Sequence, residues 1–140
     1  MGDRKNVAVL EQAYARWHET RGGSVDYWMT FLDDDIKFGS LAQSAPQMQF
    51  ACDYNCATAL RSYFDALLAD WEMIHCTVDE FVAEGEAVVA RGHIAWRHKR
   101  TGKAVDTPKI DFWRFRDGKA IEYYEYFDTA RAFAAASADP

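Results

Sequence analysis

The chain has 140 residues, of which 49% are hydrophobic, and this is enough for one domain with a buried core. Its 22 acidic and 16 basic side chains give a formal net charge of −6, which argues against nucleic acid as a partner because phosphate binding needs a clustered positive surface. The sequence contains neither an apolar signal segment nor an apolar run of roughly 18 residues, so we expect neither export nor membrane association. The odd number of cysteines, three, fits a reducing compartment, and we predict a cytoplasmic protein.

The start of the chain favours two helices. Apolar side chains three or four positions apart predict an amphipathic helix over residues 4–20, and they are Val7, Leu10, Tyr14 and Trp17. A Gly-Gly pair ends this helix, and Ser24 is the predicted N-cap of a short second helix. The second helix includes Leu32 and ends near the acidic residues 33–35.

A strand, a loop and a third helix are predicted next. Residues 36–38 form a brief strand, and residues 39–52 form a loop rich in small and polar residues. Asp53 or Asn55 is the predicted cap of the third helix. This helix has the most regular apolar stripe of the sequence, made of Cys56, Ala59, Leu60, Tyr63, Phe64, Leu67 and Leu68.

The second half of the chain favours strands. Turn residues separate four predicted strands, over residues 72–83, 86–99, 104–115 and 119–127, and a weak closing helix covers residues 129–137. Helices followed by strands indicate an α+β fold. We expect a single domain over residues 1–140, in which a strongly curved, mixed or antiparallel sheet wraps three N-terminal helices and leaves a cone-shaped cavity.

The last two strands carry charged side chains among large aromatic ones on the same face, because side chains two positions apart share a face. These residues are Lys109, Asp111, Trp113, Tyr123, Glu125 and Phe127. A three-residue loop over 116–118 is predicted to join the strands, and it places Asp111 opposite Tyr123 and Lys109 opposite Glu125. Charges among aromatic rings indicate a lined pocket rather than a plain core.

Three residues are candidates for catalysis: Asp111, Glu125 and His93. Two carboxyl groups in one apolar pocket repel as anions, so the pKa of one rises. With Lys109 holding Glu125 ionised, Asp111 becomes the proton donor. The structural alternative is a Lys109–Glu125 ion pair, with Asp111 bound by backbone or tyrosine hydroxyl groups. His93 is suited to moving protons near neutral pH, or with Arg91 to binding a carboxylate or enolate of the substrate.

The remaining candidates concern ligand, partner and metal. A pocket for a small apolar or aromatic molecule is predicted under the 39–52 loop, unless the same rings fill the core. Its predicted lining is Tyr14, Trp17, Trp28, Phe38, Arg91, Lys109, Trp113 and Tyr123. Aromatic side chains on the outer sheet face predict a homodimer, and they are Phe112, Tyr124 and Tyr126. No metal or cofactor is predicted, because the spacing of Cys52, Cys56, His75 and Cys76 does not match a zinc site.

The order of elements, the segment Ile110-Asp-Phe-Trp-Arg-Phe-Arg-Asp-Gly-Lys119, and Tyr126-Phe-Asp128 resemble the SnoaL-like proteins of the nuclear transport factor 2-like superfamily. Leu32-Asp-Asp-Asp-Ile36 resembles the family's entry into its first strand. The resemblance covers nearly the whole chain and implies the cystatin-like cone fold. Polyketide cyclases, ketosteroid isomerases and limonene-epoxide hydrolases share that fold, so it does not by itself imply one reaction.

The resemblance can be followed residue by residue. Asp111 matches the position where ketosteroid isomerases keep a protonated acid as an oxyanion-hole donor. Tyr14 falls near their oxyanion tyrosine, whereas Gly39 or Ser40 stands where their basic aspartate would be. The standard isomerase mechanism is therefore not expected.

The match to the epoxide hydrolases is also partial. Arg91 and His93 fall near their Asp-Arg pair, and Glu125 falls on their second aspartate. Phe38 and Ser40 replace their water-holding tyrosine and asparagine, so a complete water-activating set is not expected.

For an enzyme, these residues predict cofactor-free proton transfer next to a carbonyl, as in isomerisation, aldol-type cyclisation or dehydration. Asp111 would polarise the carbonyl, and Glu125 or His93 would move the proton. The alternative is a non-catalytic ligand-binding or dimerisation module of the same fold. Epoxide or ester hydrolysis is a third, weaker hypothesis.

Overall fold

A computed structural model describes residues 2–42 and 57–138. Nine helices and strands lie within these ranges: α1 (Gly2–Glu19), α2 (Val25–Met29), β1 (Leu32–Ser40), α3 (Ala57–Asp70), β2 (Trp71–Glu84), β3 (Ala87–His98), β4 (Ala104–Arg116), β5 (Lys119–Phe127) and α4 (Thr129–Ala136). The five strands form one mixed sheet in the order β1-β5-β4-β3-β2. Strand β1 runs parallel to β5, and the other pairs are antiparallel. The predicted α+β class with a mixed sheet is confirmed.

The helices bury their predicted apolar stripes against the sheet. Helix α1 packs on β2 and β3, and α3 packs on β1 and β2. The stripe residues buried in the core are Leu10, Tyr14 and Trp17 of α1 and Leu60, Tyr63, Phe64 and Leu67 of α3. Both helices therefore lie above the inner sheet face, and the hydroxyl groups of Tyr14 and Tyr63 reach the closing hairpin. None of the helices in the described ranges is long and apolar enough to cross a membrane.

The second helix and the first strand differ from the prediction. Helix α2 ends at Met29, and Leu32 already belongs to β1, where it pairs with Ala120 of β5. The chain enters the sheet early because the Ala120 amide donates to the Phe31 carbonyl at 2.8 Å, a long-range bond that local periodicity cannot reveal. Ser24 is the N-cap residue of α2 as predicted, but its side chain makes no capping hydrogen bond, and its carbonyl accepts from the Tyr27 amide instead. The loop beyond Ala42 and the cap at Asp53 or Asn55 lie outside the described residues.

The closing hairpin is joined by a two-residue turn rather than the predicted three-residue loop. Asp117 and Gly118 both have positive φ, 51° and 82°, as a type I′ turn requires. A shift in register between Arg114 and Phe115 then moves the pairing by one more position. The predicted register was therefore wrong by two residues.

The two-residue difference in register changes the cross-strand pairs of β4 and β5 but leaves the same side chains on the inner face of the sheet. Asp111 lies opposite Glu125 rather than Tyr123, and Lys109 lies opposite Phe127. Because side chains alternate with a period of two, a slip of two residues keeps all of them on the same side of the sheet. The hairpin consequently presents both carboxyl groups to the helices.

Candidate active site

Two buried carboxyl groups face each other across the β4–β5 ladder. Asp111 is 3% exposed and Glu125 is 2% exposed, and the two residues are direct cross-strand partners. Charged groups buried to this extent need paired charges or hydrogen-bond donors, because water does not solvate them. The partners of each carboxyl group therefore define its chemistry.

Asp111 accepts hydrogen bonds from two tyrosines and pairs with a lysine. The Tyr14 hydroxyl donates to Oδ2 at 2.5 Å, and the Tyr123 hydroxyl donates to Oδ1 at 2.9 Å. The ammonium of Lys109 lies 3.2 Å from Oδ1. The indole of Trp113 in turn donates to the Tyr14 hydroxyl at 2.9 Å and fixes its direction. Asp111 is thus an acceptor held on both oxygens.

The ion pair predicted between Lys109 and Glu125 is made with Asp111 instead. Lys109 and Asp111 are two positions apart on one strand, so their side chains share a face and meet directly. Tyrosine hydroxyl groups do bind Asp111, as the structural alternative to catalysis predicted.

Glu125 is held by two hydroxyl groups, and a third lies nearby. Ser40 at the end of β1 donates to Oε2 at 3.0 Å, and Tyr63 of α3 donates to Oε1 at 3.1 Å. The Tyr123 hydroxyl is 3.4 Å from Oε1, longer than its bond to Asp111. Burial raises the pKa of Glu125 and the nearby Asp111 carboxylate adds to the rise, whereas the Lys109 ammonium opposes it. Glu125 is therefore a stronger base than an exposed glutamate.

Lys109 remains an ammonium ion in this setting. Burial by itself would lower the pKa of Lys109, but the carboxylates of Asp111 and Glu125 outweigh it and raise the pKa above the ordinary value. Its side chain is 16% exposed and lies close to the Tyr123 hydroxyl, at 3.2 Å. The site thus holds a fixed positive charge beside a basic carboxyl group.

The three tyrosines and the cysteine of the site stay protonated at neutral pH. Burial raises the pKa values of Tyr14, Tyr63 and Tyr123 well above 10, and the adjacent carboxylates raise them further. Burial likewise raises the pKa of the Cys76 thiol to about 11. At neutral pH the tyrosines are hydrogen-bond donors, and Cys76 is a neutral thiol rather than a nucleophilic thiolate.

Two adjoining cavities lie between the helices and this cluster. The larger, about 50 Å³, is lined by Glu125, and the smaller, about 40 Å³, is lined by Asp111. Four residues line both of them: Trp17, Tyr63, Cys76 and Lys109. A single water needs roughly 10–15 Å³ of such volume, so the larger cavity has room for about four waters or for a small ring.

Most of the predicted pocket residues come together at these cavities. Seven of them line one cavity or both: Tyr14, Trp17, Trp28, Phe38, Lys109, Trp113 and Tyr123. Several also pack on one another, for example Phe38 on Tyr123 with ring centroids 4.5 Å apart and Trp28 parallel to Trp113 at 5.7 Å. The same aromatic rings therefore pack the core and line the cavities.

The side chains of Arg91 and His93 lie apart from the carboxyl groups, and His93 meets Asp111 and Lys109 only as part of the lining of a small cavity of about 10 Å³. Ala90 of β3 lies opposite Asp111, and the alternation of side chains directs Arg91 and His93 to the other face of the sheet. There Arg91 binds Glu80 in an exposed ion pair at 3.0 Å, and His93 bonds to Asp106. Both residues were predicted to contact the substrate, but the alternation of side chains along β3 places them on the outer sheet face instead.

Comparison with known proteins agrees with this fold. Residues 10–123 match the model of the SnoaL-like domain. The chain belongs to the SnoaL-like family. No curated protein matches it.

Several solved structures resemble this SnoaL-like chain. A nuclear transport factor 2-like protein of Burkholderia xenovorans has a TM-score of 0.80 and 21% identity over 98% of this chain and 99% of its own. A candidate SnoaL-like polyketide cyclase of a Jannaschia species has a TM-score of 0.75 and 19% identity over 99% and 96%. TerC, co-crystallised with polyporic acid, has a TM-score of 0.78 and 16% identity over 94% and 98%. At these identities the likeness establishes the cone fold, which confirms the predicted fold class.

Sequence reasoning missed two groups that hold Glu125 of this SnoaL-like chain. Tyr63 was assigned only to the apolar stripe of α3, and Ser40 was noted only as a replacement for the aspartate of the isomerases and the asparagine of the epoxide hydrolases. A tyrosine within an otherwise apolar stripe is a usable signal, because a buried phenol needs a partner for its hydroxyl. Nothing local marks Ser40, since its bond to Glu125 spans 85 positions of the chain.

No cluster of three or more histidine, cysteine or acidic side chains in residues 2–42 and 57–138 of this SnoaL-like chain is arranged to hold a metal ion. Cys52 and Cys56 lie outside these ranges. His75 packs against His93 with ring centroids 5.9 Å apart, on the sheet face away from the carboxyl groups. The described residues therefore provide acid–base groups and hydrogen-bond donors for chemistry at this site.

Proposed function

We propose that this SnoaL-like chain binds a small, mostly apolar carbonyl compound in the larger cavity and transfers a proton next to the carbonyl without a cofactor. One observation carries the proposal: Lys109 and Glu125 line the same cavity, whose other walls are largely aromatic and aliphatic. A cation and a basic carboxyl group inside one apolar pocket are the two groups that enolisation needs. Isomerisation, aldol-type cyclisation and dehydration all contain this step.

Glu125 is the proposed general base. Its raised pKa brings it closer to neutral pH, where a carboxylate accepts a carbon-bound proton more readily. The bonds from Ser40 and Tyr63 hold its two oxygens in place, so its position does not depend on the ligand. In the step, Glu125 takes the α-proton, and the electron pair of the broken C–H bond moves to the carbonyl oxygen.

Lys109 is the proposed stabiliser of that oxygen. Its ammonium is retained because the two carboxyl groups raise its pKa, and it lines both cavities. Asp111 then acts as the buried counter-ion that keeps Lys109 and the two tyrosines oriented. This division of roles differs from the sequence-based hypothesis, in which Asp111 donates a proton to the carbonyl.

Small-molecule binding in related structures supports a ligand in this fold. TerC was crystallised with polyporic acid. A protein of Catenulispora acidiphila with a ketosteroid isomerase-like fold was crystallised with trimethylamine, and it has a TM-score of 0.74 and 13% identity over 94% of this chain and 93% of its own. We extend to this chain only the general property of small-molecule binding.

Deuterium exchange into a simple ketone tests the proposal without knowledge of the natural substrate. We expect this protein to accelerate exchange of the α-protons of cyclohexanone in D₂O above the buffer rate, as measured by ¹H NMR. Glu125→Gln should lower the enzymatic rate about 10²- to 10⁴-fold, because the base is lost. The wild-type rate, after subtraction of the buffer rate, should increase as pH rises through the raised pKa of Glu125, since only the carboxylate accepts a proton.

The matched control is Glu122→Gln, the same substitution on the same strand. Glu122 forms an exposed ion pair with Arg114 on the outer face, so its removal should leave exchange unchanged. Equal rates for wild type and Glu125→Gln would overturn the proposed catalysis. Binding of cyclohexanone with no exchange in either protein would favour the alternative, a non-catalytic ligand-binding module.

We further propose that the protein is a cytoplasmic homodimer that binds no nucleic acid. The outer sheet face supports the dimer, because Tyr126 is 44% exposed and packs against Tyr124 with ring centroids 4.9 Å apart. Phe112 on the same face is only partly buried. Light scattering should give twice the chain mass, and Tyr126→Lys should shift the protein to the monomer. A wild-type monomer at micromolar concentration would contradict the proposed dimer.

A further inference from the structure

We propose that the substrate carries a second oxygen acceptor and that the indole N–H of Trp71 binds it. The ligand class is then a dioxygenated compound, such as a diketone or a hydroxy ketone. The proposal rests on the proposed function for the position of the first oxygen, which lies at Lys109, with the adjacent α-carbon at Glu125. It adds a specificity-determining residue at a different wall of the larger cavity.

The Trp71 indole is a buried donor that lacks an acceptor. Trp71 begins β2, is 2% exposed, and lines the larger cavity. Its Nε1 makes no hydrogen bond within the part of the chain that the structure describes. Native proteins rarely leave a buried N–H unpaired, because the group has lost water and gained nothing in return. By comparison, the buried Trp113 indole donates to Tyr14.

Within residues 2–42 and 57–138, the surroundings of Trp71 offer its indole no bonded acceptor, and the cavity that it lines is the place for one. The ring of His98 packs edge-to-face on Trp71 with centroids 4.7 Å apart, which restricts rotation of the indole. Thr107 also lines the cavity, but its hydroxyl bonds elsewhere: it donates to the Pro108 carbonyl and accepts from the Asp128 amide. A ligand oxygen or a water in the cavity can satisfy the indole, and a ligand bound at Lys109 would displace such a water.

A matched pair of ring ketones tests this. Cyclohexanone has one carbonyl, and 1,4-cyclohexanedione has a second one on the opposite side of the ring. The dione should bind about three- to tenfold more tightly to the wild-type protein, which is the effect of one added hydrogen bond. On binding of the dione, the Trp71 indole proton should shift downfield in the ¹H–¹⁵N NMR spectrum, more than it does with cyclohexanone.

Trp71→Phe should reduce the affinity ratio of the two ketones to about one, because it removes the N–H and keeps an aromatic ring. Trp28→Phe is the matched control. Trp28 is also a buried indole whose N–H has no partner among the described residues, but it lines the smaller cavity, so this variant should retain the preference. The same spectra identify the Trp71 signal, since it disappears in Trp71→Phe.

The outcomes separate this inference from the proposed function. Equal affinities for the two ketones in the wild type, or loss of the preference in Trp28→Phe rather than Trp71→Phe, would overturn the role of Trp71. Glu125-dependent exchange of cyclohexanone would then still support the proposed function. A preference for the dione that depends on Trp71, without any exchange, would support the second acceptor and contradict the catalysis. If Trp71→Phe fails to fold, the wild-type spectra decide the question: the inference is overturned if none of the five indole signals shifts more with the dione than with cyclohexanone.

Discussion

Lys109→Met should lower the free energy of unfolding by about 3–5 kcal/mol, the usual cost of removing one partner of a buried ion pair. Methionine has nearly the length and volume of lysine, so packing changes little and the loss comes from charge. Asp111, 3% exposed, would remain in an apolar site with only the hydroxyl groups of Tyr14 and Tyr123 as donors. Chemical denaturation at pH 7, with the slope of the transition checked for constancy, measures this loss.

Two further variants separate the charge effect from a general effect of the substitution. Lys37→Met changes an exposed lysine on β1 and should alter stability by less than about 0.5 kcal/mol. Combining Lys109→Met with Asp111→Asn should recover more than half of the loss, because no unpaired charge is then buried. A double variant no more stable than Lys109→Met alone would show that Lys109 stabilises the fold by packing and not by pairing with Asp111.

Gly92→Ala should destabilise the fold by about 3 kcal/mol or more, at the upper end for overpacking. A Cβ atom at Gly92 would lie 1.9 Å from the Thr77 carbonyl oxygen and 2.8 Å from the Val78 Cα atom. Both obstacles are backbone atoms of β2, so relief requires separation of the two strands rather than a change of rotamer. The β2 register also shifts just after Val78, between Val78 and Glu80, which shows that the ladder is already irregular at this point.

Gly102→Ala provides the comparison for this prediction. Gly102 has a φ of +74°, but a Cβ atom at this position would meet no atom of the described residues within 4 Å, so only the backbone conformation is strained. We expect a loss of about 1–2 kcal/mol for this variant, measured by thermal and chemical denaturation. A smaller effect at Gly92 than at Gly102 would contradict the close approach of β2 and β3.

Local patterns were sufficient for most of the fold. The stripe of α1 and the alternation along β4 and β5 depend on neighbours three, four or two positions away, and those periods are visible in the sequence. The alternation of side chains along each strand was enough to place Asp111 and Glu125 on one face. A register error of two residues did not change this, because it is a whole period of the alternation. The weaker prediction, at Leu32, concerns the segment that leads into β1, where pairing with β5 overrides local preference.

The division of roles within the site could not be read from such patterns. Whether Lys109 pairs with Asp111 or with Glu125 depends on a turn of two rather than three residues and on a bulge that no periodicity marks. The same is true of Arg91 and His93, because the face they occupy follows from how β3 pairs with β4. Contacts across strands and helices decide these points, and they join residues far apart in the chain.

By itself, the sequence determined the α+β class, the inner face of the closing hairpin and the presence of two carboxyl groups and a lysine on it. Those properties follow from spacing along the chain and from the alternation of side chains in strands. Only the tertiary structure decided that Asp111 holds Lys109 while Ser40 and Tyr63 hold Glu125. The physical reason is that burial and hydrogen bonding arise between elements brought together by folding, and these set the pKa of Glu125 and the shape of the cavity it lines.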